Sequence, residues 1–279
     1  EAVREVLLAD RADKRWSTIG QSFGGFLTLS YLSFAPQSLR DCRITAGLAP
    51  IRTSVDNVYQ HTFDRMKERN EEYYSWFPED AELATRIAEH LRTHKEYLPT
   101  GERLTDHRFQ MAGHFLGGRW RERGLHYFLE TAFAEGNDHL SDQFLTAMGA
   151  EVTFQANPLY ALMHETIYAD GPADGVLPGI PGYELSPSPA PTNCSAARVA
   201  ASRPEFAPDA ERLLFTRGDI FPWYYEEDPS LRPLAEVANL LAEKKDWGRL
   251  YDHAQLHKNE VPVVAAAYNP DVYVDFEHS

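Results

Sequence analysis

The feature that most restricts this chain is the run Trp16-Ser17-Thr18-Ile19-Gly20-Gln21-Ser22-Phe23-Gly24-Gly25. Trp16 to Ile19 reads as a short buried strand and residues 20–25 as a sharp turn. An apolar helix follows at once, carrying Phe26, Leu27, Leu29, Tyr31, Leu32 and Phe34. Gly20-Gln21-Ser22-Phe23-Gly24 matches G-x-S-x-G, the spacing of a serine held on a strained strand-to-helix turn with its hydroxyl above a sheet. Small residues two before and two after the serine let strand and helix approach closely. The helix N-terminus favours negative charge at the same place, and the amide of Phe23 is the natural donor to an oxyanion. The five-residue pattern alone is common. The strand before it and the helix after it set it apart from a glycine-rich turn with a bystander serine.

The rest of the chain supplies a frame for that turn. Pro36 marks the end of the helix, and Cys42 to Leu48 reads as a second strand, closed by Ala49-Pro50. Together these make one β-α-β unit of a parallel sheet. From Val55 to about Met163 the sequence is charged, aromatic and helical in period, with helices expected over 81–91, 127–133 and 140–148 and no convincing strand before Val152. Residues 171–191, rich in Pro, Gly and Ser, read as a loop, and 231–245 as a further helix. Val261 to Tyr268 reads as a buried parallel strand ending in the turn Asn269-Pro270-Asp271. The expected class is therefore α/β: an α/β-hydrolase with a partial parallel sheet core (1–50 and 251–279) and a large, mainly helical cap insertion (51–250).

Charge and composition remove several function classes. The formal charge of −15 disfavours nucleic acid and anionic membranes as partners, and the longest apolar runs fall far short of a membrane span. Only Cys42 and Cys194 occur, with no disulfide framework or zinc spacing, which fits a reducing, cytoplasmic compartment. His61/Asp64 and His90/His94 have helical spacing, but no H-E-x-x-H or Cys cluster accompanies them, so no metal is expected. No phosphate-binding loop or dinucleotide fingerprint is present, so no cofactor is expected either.

A serine needs a base, and the triad order of this fold is Ser, acid, His. Asp271, at the C-terminal end of the last strand, is the expected acid, since active residues in open α/β sheets gather there. Asp275 is its rival, and an Asp in an Asn-Pro-Asp turn can instead bond its own backbone. Only His278 follows Asp271, too closely to come from the next strand's end loop. Glu1 opens directly on a helical pattern (Val3, Val6, Leu7), and a helix with one strand is a poor start for a sheet. The expectation is a chain lacking sequence at both ends, its catalytic histidine beyond residue 279 and its second oxyanion donor before residue 1.

The elbow run resembles that of the proline iminopeptidases (prolyl aminopeptidases). So do Asn157-Pro158-Leu159-Tyr160-Ala161-Leu162-Met163-His164-Glu165, Gly218-Asp219-Ile220-Phe221-Pro222-Trp223, Asn259-Glu260-Val261-Pro262-Val263 and Tyr268-Asn269-Pro270-Asp271-Val272-Tyr273-Val274-Asp275. The resemblance implies a serine aminopeptidase that releases N-terminal proline from small peptides, with Ser22 as nucleophile and Asp271 as acid. It also implies that Glu165 is one of the cap glutamates that hold the substrate's amino group. Asp219 sits where relatives tend to carry Glu, as a second substrate-binding position. Other α/β-hydrolases cleave esters, lactones or amides lacking a free amine, and some hydrolase-like proteins only bind; these readings stay open at the level of sequence.

Overall fold

A computed structural model describes residues 1–51, 53–118, 121–134, 136, 138–171 and 191–279. Residues 172–190, most of the expected Pro/Gly/Ser-rich loop, lie outside the described residues. By their internal contacts the residues divide into two units. One, the sheet unit, comprises Glu1–Val58, Tyr168–Ala190 and Lys245–Ser279; the other, the helical unit, comprises Tyr59–Ile167 and Pro191–Lys244.

In the sheet unit a short helix, Ala2–Leu7 (α1), precedes strand Trp16–Gln21 (β1), helix Phe23–Phe34 (α2) and strand Leu39–Thr45 (β2). Parallel strands cannot be joined by a tight turn, and α2 supplies the crossover between β1 and β2. The register runs Trp16↔Leu39, then Ser17↔Asp41 through Gln21↔Thr45, so Arg40 is an extra residue in β2. This irregularity explains why the buried side chains of β2 are Leu39, Cys42 and Ile44 rather than a strict alternation. Leu32 of α2 packs with Leu39 and Cys42, and Trp16, Leu29, Tyr31, Leu256 and Val261 close around them. Each fully buried leucine contributes about 1.5–3 kcal/mol relative to exposure.

Strand Val263–Ala266 (β5) pairs in parallel with β2, Cys42↔Val263 to Thr45↔Ala266, giving the order β1-β2-β5. The parallel pairing is as expected from sequence, but the burial is not. All four residues of β5 are exposed, because the strand lies at the edge of the three-stranded sheet and only β2 pairs with it among the described residues. Likewise α2 buries one face (Phe26, Thr28, Leu32, Ser33) and leaves Leu27 and Phe34 exposed. In α1 the apolar Val3, Val6 and Leu7 face solvent, while Arg4 is buried and donates to the Lys14 carbonyl.

Two stretches that the sequence groups with the helical part make their contacts in the sheet unit. The Tyr168 ring meets Phe26 of α2 edge-on at 6.1 Å. Asp170 accepts from the Leu250 amide (2.6 Å) and pairs with His253 Nε2 (3.0 Å). His253 opens helix His253–His257 (α12), whose N-terminus is capped by Asp252.

The helical unit is built from Val55–Trp76 (α3, which begins in the sheet unit), Pro78–Thr93 (α4), a two-residue hairpin Glu96–Tyr97 and Arg103–Leu104 (β3, β4), Asp106–Gln110 (α5), Glu122–Glu130 (α6), Asp142–Val152 (α7), Pro158–Met163 (α8), Ser195–Ala201 (α9), Tyr224–Glu227 (α10) and Ala235–Glu243 (α11). The helices expected over 81–91, 127–133 and 140–148 correspond to α4, α6 and α7. Thr105 and Ser141 cap α5 and α7 by accepting from Arg108 and Phe144 amides. Phe63, Met66, Tyr73, Phe109, Phe144 and Phe215 are fully buried. The buried segment 213–216 runs through this interior, with side chains serving as several of its hydrogen-bond partners. Asn70 accepts from the Phe215 amide (2.8 Å) and donates to its carbonyl (2.9 Å), Gln110 donates to Leu214 and Tyr74 to Leu213. Buried backbone polar groups need such partners. Among the described residues no helix is long and apolar enough to cross a membrane.

Candidate active site

The turn between β1 and α2 has the geometry that the sequence motif requires. Ser22 sits at φ 53°, ψ −124°, a backbone conformation that costs a non-glycine residue energy. Its amide donates to the Thr45 carbonyl of β2 (2.9 Å) and its carbonyl accepts from Gly25 (2.8 Å), so backbone bonds to both neighbours hold the strain in place. The Ser22 side chain makes no capping bond to α2 and is exposed. Phe23 begins α2, where the first amides lack intrahelical acceptors and point toward the N-terminus. These are the donors a developing oxyanion would meet.

Close approach is enforced by glycine, though not at both positions expected. A Cβ on Gly20 would lie 2.3 Å from the Gly24 carbonyl oxygen. A Cβ on Gly24, the final glycine of the motif, would meet nothing within 4 Å. The crowded position is the next one: a Cβ on Gly25 would lie 2.2 Å from the Gly47 carbonyl oxygen and 2.7 Å from Ile44 Cγ2. Gly25 therefore lets α2 lie against the end of β2.

Asp271 follows β5 after the cis Asn269–Pro270 peptide. Its Oδ1 accepts from the amides of Tyr273 (2.8 Å) and Val274 (3.1 Å), so the local turn weighed at the level of sequence does form. Asp275 is buried and uses Oδ1 to cap the turn Phe276–His278 through the Glu277 amide (3.0 Å). His278 Nε2 lies 3.3 Å from Asn57 Nδ2.

Glu165 and Asp219 belong to the helical unit. Glu165 begins the 3-10 turn Glu165–Tyr168, and its Oε1 accepts from the Ala196 amide at the start of α9 (3.1 Å). Burial raises its pKa, and the Thr192 hydroxyl, the Ala196 amide and Arg198 pull it back. It lines a small pocket, of about 50 Å³, with Ala161, Cys194, Ile220, Phe221 and Tyr225. A single carboxylate against aromatic and aliphatic walls suits a small cation with an apolar body. Asp219 is 1% exposed and bonds Arg217 Nε at 2.6 Å. Burial raises its pKa against the pull of that guanidinium. Beside them, burial together with the Arg217 charge pushes His164 down to about 3, which keeps its ring neutral.

The histidines and carboxylates with ligand-like spacing make contacts with other side chains. His90 and His94 stack at 4.3 Å, with His90 Nε2 bonded to Glu96 (2.6 Å), and Asp64 pairs with Arg203. In the helical unit Glu79, Asp80 and His126 place ligand atoms within 4.8 Å of one another. Buried Asp80 takes bonds from the Tyr73 hydroxyl and from His126 (3.0 Å).

No family model matches the chain. Individual proteins do. Over its whole length it is 40% identical to a proline iminopeptidase of Aeromonas sobria, covering 60% of that protein. It is 34% identical over 99% of its length to the proline iminopeptidase aneH of Aspergillus aculeatus, covering 59% of it. The chain thus spans about three-fifths of the length of these curated relatives. The parallel β-α-β core and the strained Ser22 elbow place the chain in the α/β-hydrolase superfamily, and its similarity to these two proline iminopeptidases runs over its whole length.

Proposed function

We propose that the protein is a serine aminopeptidase that releases proline from the N-terminus of small peptides. What carries the reading is the strained Ser22 at a strand-to-helix turn, in a chain 40% identical to a protein named proline iminopeptidase. Ser22 Oγ attacks the prolyl carbonyl carbon while a histidine takes its proton, as the triad order of this fold implies. The oxyanion is met by the Phe23 amide at the start of α2. Collapse of the tetrahedral species breaks the C–N bond, and the shortened peptide leaves with the proton on its amine. Water then hydrolyses the prolyl ester on Ser22.

In this reading Asp271 orients the histidine through the carboxylate oxygen not committed to the Tyr273 and Val274 amides. The helical unit acts as the cap, and Glu165 pairs with the substrate's α-ammonium, an interaction that gains strength away from water. Asp219, committed to Arg217, contributes buried negative charge rather than a direct contact. The free thiols Cys42 and Cys194 support a reducing, cytoplasmic setting.

The test uses the full-length protein, a prolyl arylamide and its N-acetyl counterpart, with Ser22→Ala as control. Turnover of the free amine alone, abolished by the substitution, is expected. Equal turnover of both compounds would leave a serine hydrolase but remove the aminopeptidase.

A further inference from the structure

Four residues of the pocket that holds Glu165, namely Ile220, Phe221, Pro222 and Tyr225, come from one short stretch that ends in α10. That stretch is anchored from outside the pocket. Glu227, the last residue of α10, accepts from the Thr105 hydroxyl through Oε2 (2.9 Å) and pairs with His107 Nε2 through Oε1 (2.7 Å). The other ring nitrogen of His107 lies 3.4 Å from Asp106, and Asp106 in turn faces Arg92 at 3.8 Å. The His107 ring also packs against Trp223 (centroids 4.2 Å apart), which stacks on Phe221 of the pocket wall at 5.7 Å. One imidazole thus grips both the indole next to the wall and the carboxylate that ends it.

We infer that His107 is a positioning residue: as an imidazolium bridging Asp106 and Glu227, it fixes the 220–227 wall of the pocket that Glu165 also lines and so sets affinity for the substrate's ammonium end. The charged groups facing the ring are Asp106 on its own helix and Glu227 on α10, with Arg92 of α4 behind Asp106. Burial opposes charge on His107, but the two carboxylates prevail and raise it to about 9. The bridge is therefore complete at neutral pH and is lost as pH rises through that value.

The inference rests on the aminopeptidase reading, and its test separates the two. In the full-length protein, KM for a prolyl arylamide is compared between wild type and His107→Gln. At pH 7 the variant's KM should be about tenfold higher, with kcat changed less than about twofold. At about pH 10 the two KM values should converge, because wild type has lost the same charge; ionisation of the substrate cancels in the ratio. Equal KM at pH 7, a gap that persists at high pH, or a loss confined to kcat would overturn the inference. Should His107→Gln not fold, the Trp223 signal serves instead. Wild-type fluorescence minus that of Trp223→Phe should change with a midpoint near pH 9, and a flat difference would count against the bridge. If no protein turns over the prolyl compound, the aminopeptidase reading fails, and the wall is judged by alkylation of Cys194 in the same pocket. A rate several-fold faster in His107→Gln than in wild type sustains the inference, and equal rates overturn it.

Discussion

The two units of this chain hold their functional parts in different ways. In the sheet unit the elbow is fixed by backbone against backbone: Ser22 is bonded to Thr45, and Gly25 leaves room for the Gly47 carbonyl. Around that tight junction the unit leaves much apolar surface open, with Ile19 of β1 79% exposed and Val264 of β5 71% exposed. The helical unit also has exposed apolar side chains, on α8 and α11 among others, but its centre is closed by side-chain hydrogen bonds. Asn70 holds Phe215, Tyr73 and His126 hold Asp80, and Arg217 holds Asp219. The geometry at Ser22 should therefore be sensitive to added volume and insensitive to charge. The pocket that holds Glu165 should show the reverse.

The largest effect expected is chemical. Ser22→Ala in the full-length protein should lower kcat by at least about 10⁴-fold with little change in folding, since a residue acting as part of a triad is not replaced by its neighbours. Circular dichroism alongside turnover checks both halves. Next, two adjacent glycines test the backbone account. Gly25→Ala should destabilise by about 2–4 kcal/mol through collision with Gly47. Gly24→Ala should be neutral or stabilise by up to about 1 kcal/mol, the helix preference of alanine. Denaturant midpoints read the difference, and equal losses at both positions would break the account.

In the helical unit, Asn70→Ala should cost about 1–3 kcal/mol by leaving the Phe215 amide and carbonyl unpaired in the interior. Glu165→Gln should act on substrate rather than fold. KM for the free prolyl amine is expected to rise by about 10–100-fold, with kcat less affected, because a charged hydrogen bond becomes a neutral one. The smallest effect is the pH response of the His107 bridge. Its folded pKa, about 9, lies above the ordinary value of 6.5. Its contribution is thus present in full below pH 6.5, declines above it and is lost as pH rises through about 9. That contribution should be on the order of 1 kcal/mol after solvent screening, and the fall in thermal midpoint should be absent in His107→Gln.

The elbow was legible because its demands are local: a strand, a small residue, a serine and an apolar helix must follow one another within a few positions. Even there the motif pointed to Gly24, whereas Gly25 makes the close contact, because the contact depends on where β2 ends. The last strand was legible as a strand but not in its burial, since apolar composition does not report which neighbours a strand has. Segment 213–216 joins no strand among the described residues, and the side chains of Asn70, Gln110 and Tyr74 that take several of its backbone hydrogen bonds lie far away in sequence. His107 and Glu227 are separated by 120 positions, and nothing local to either marks the pair. The Asn-Pro-Asp turn was read with both of its outcomes open, and the backbone bonds of Asp271 show that its local one is realised.

The central claim is that Ser22 is an activated nucleophile, and labelling tests it most directly. The full-length protein is treated with a fluorophosphonate and its peptides are mapped by mass. The account predicts a single adduct on the peptide containing Ser22, slowed by a free prolyl amide and absent in Ser22→Ala. An adduct on another residue, or undiminished prolyl-arylamide turnover by Ser22→Ala, would contradict it.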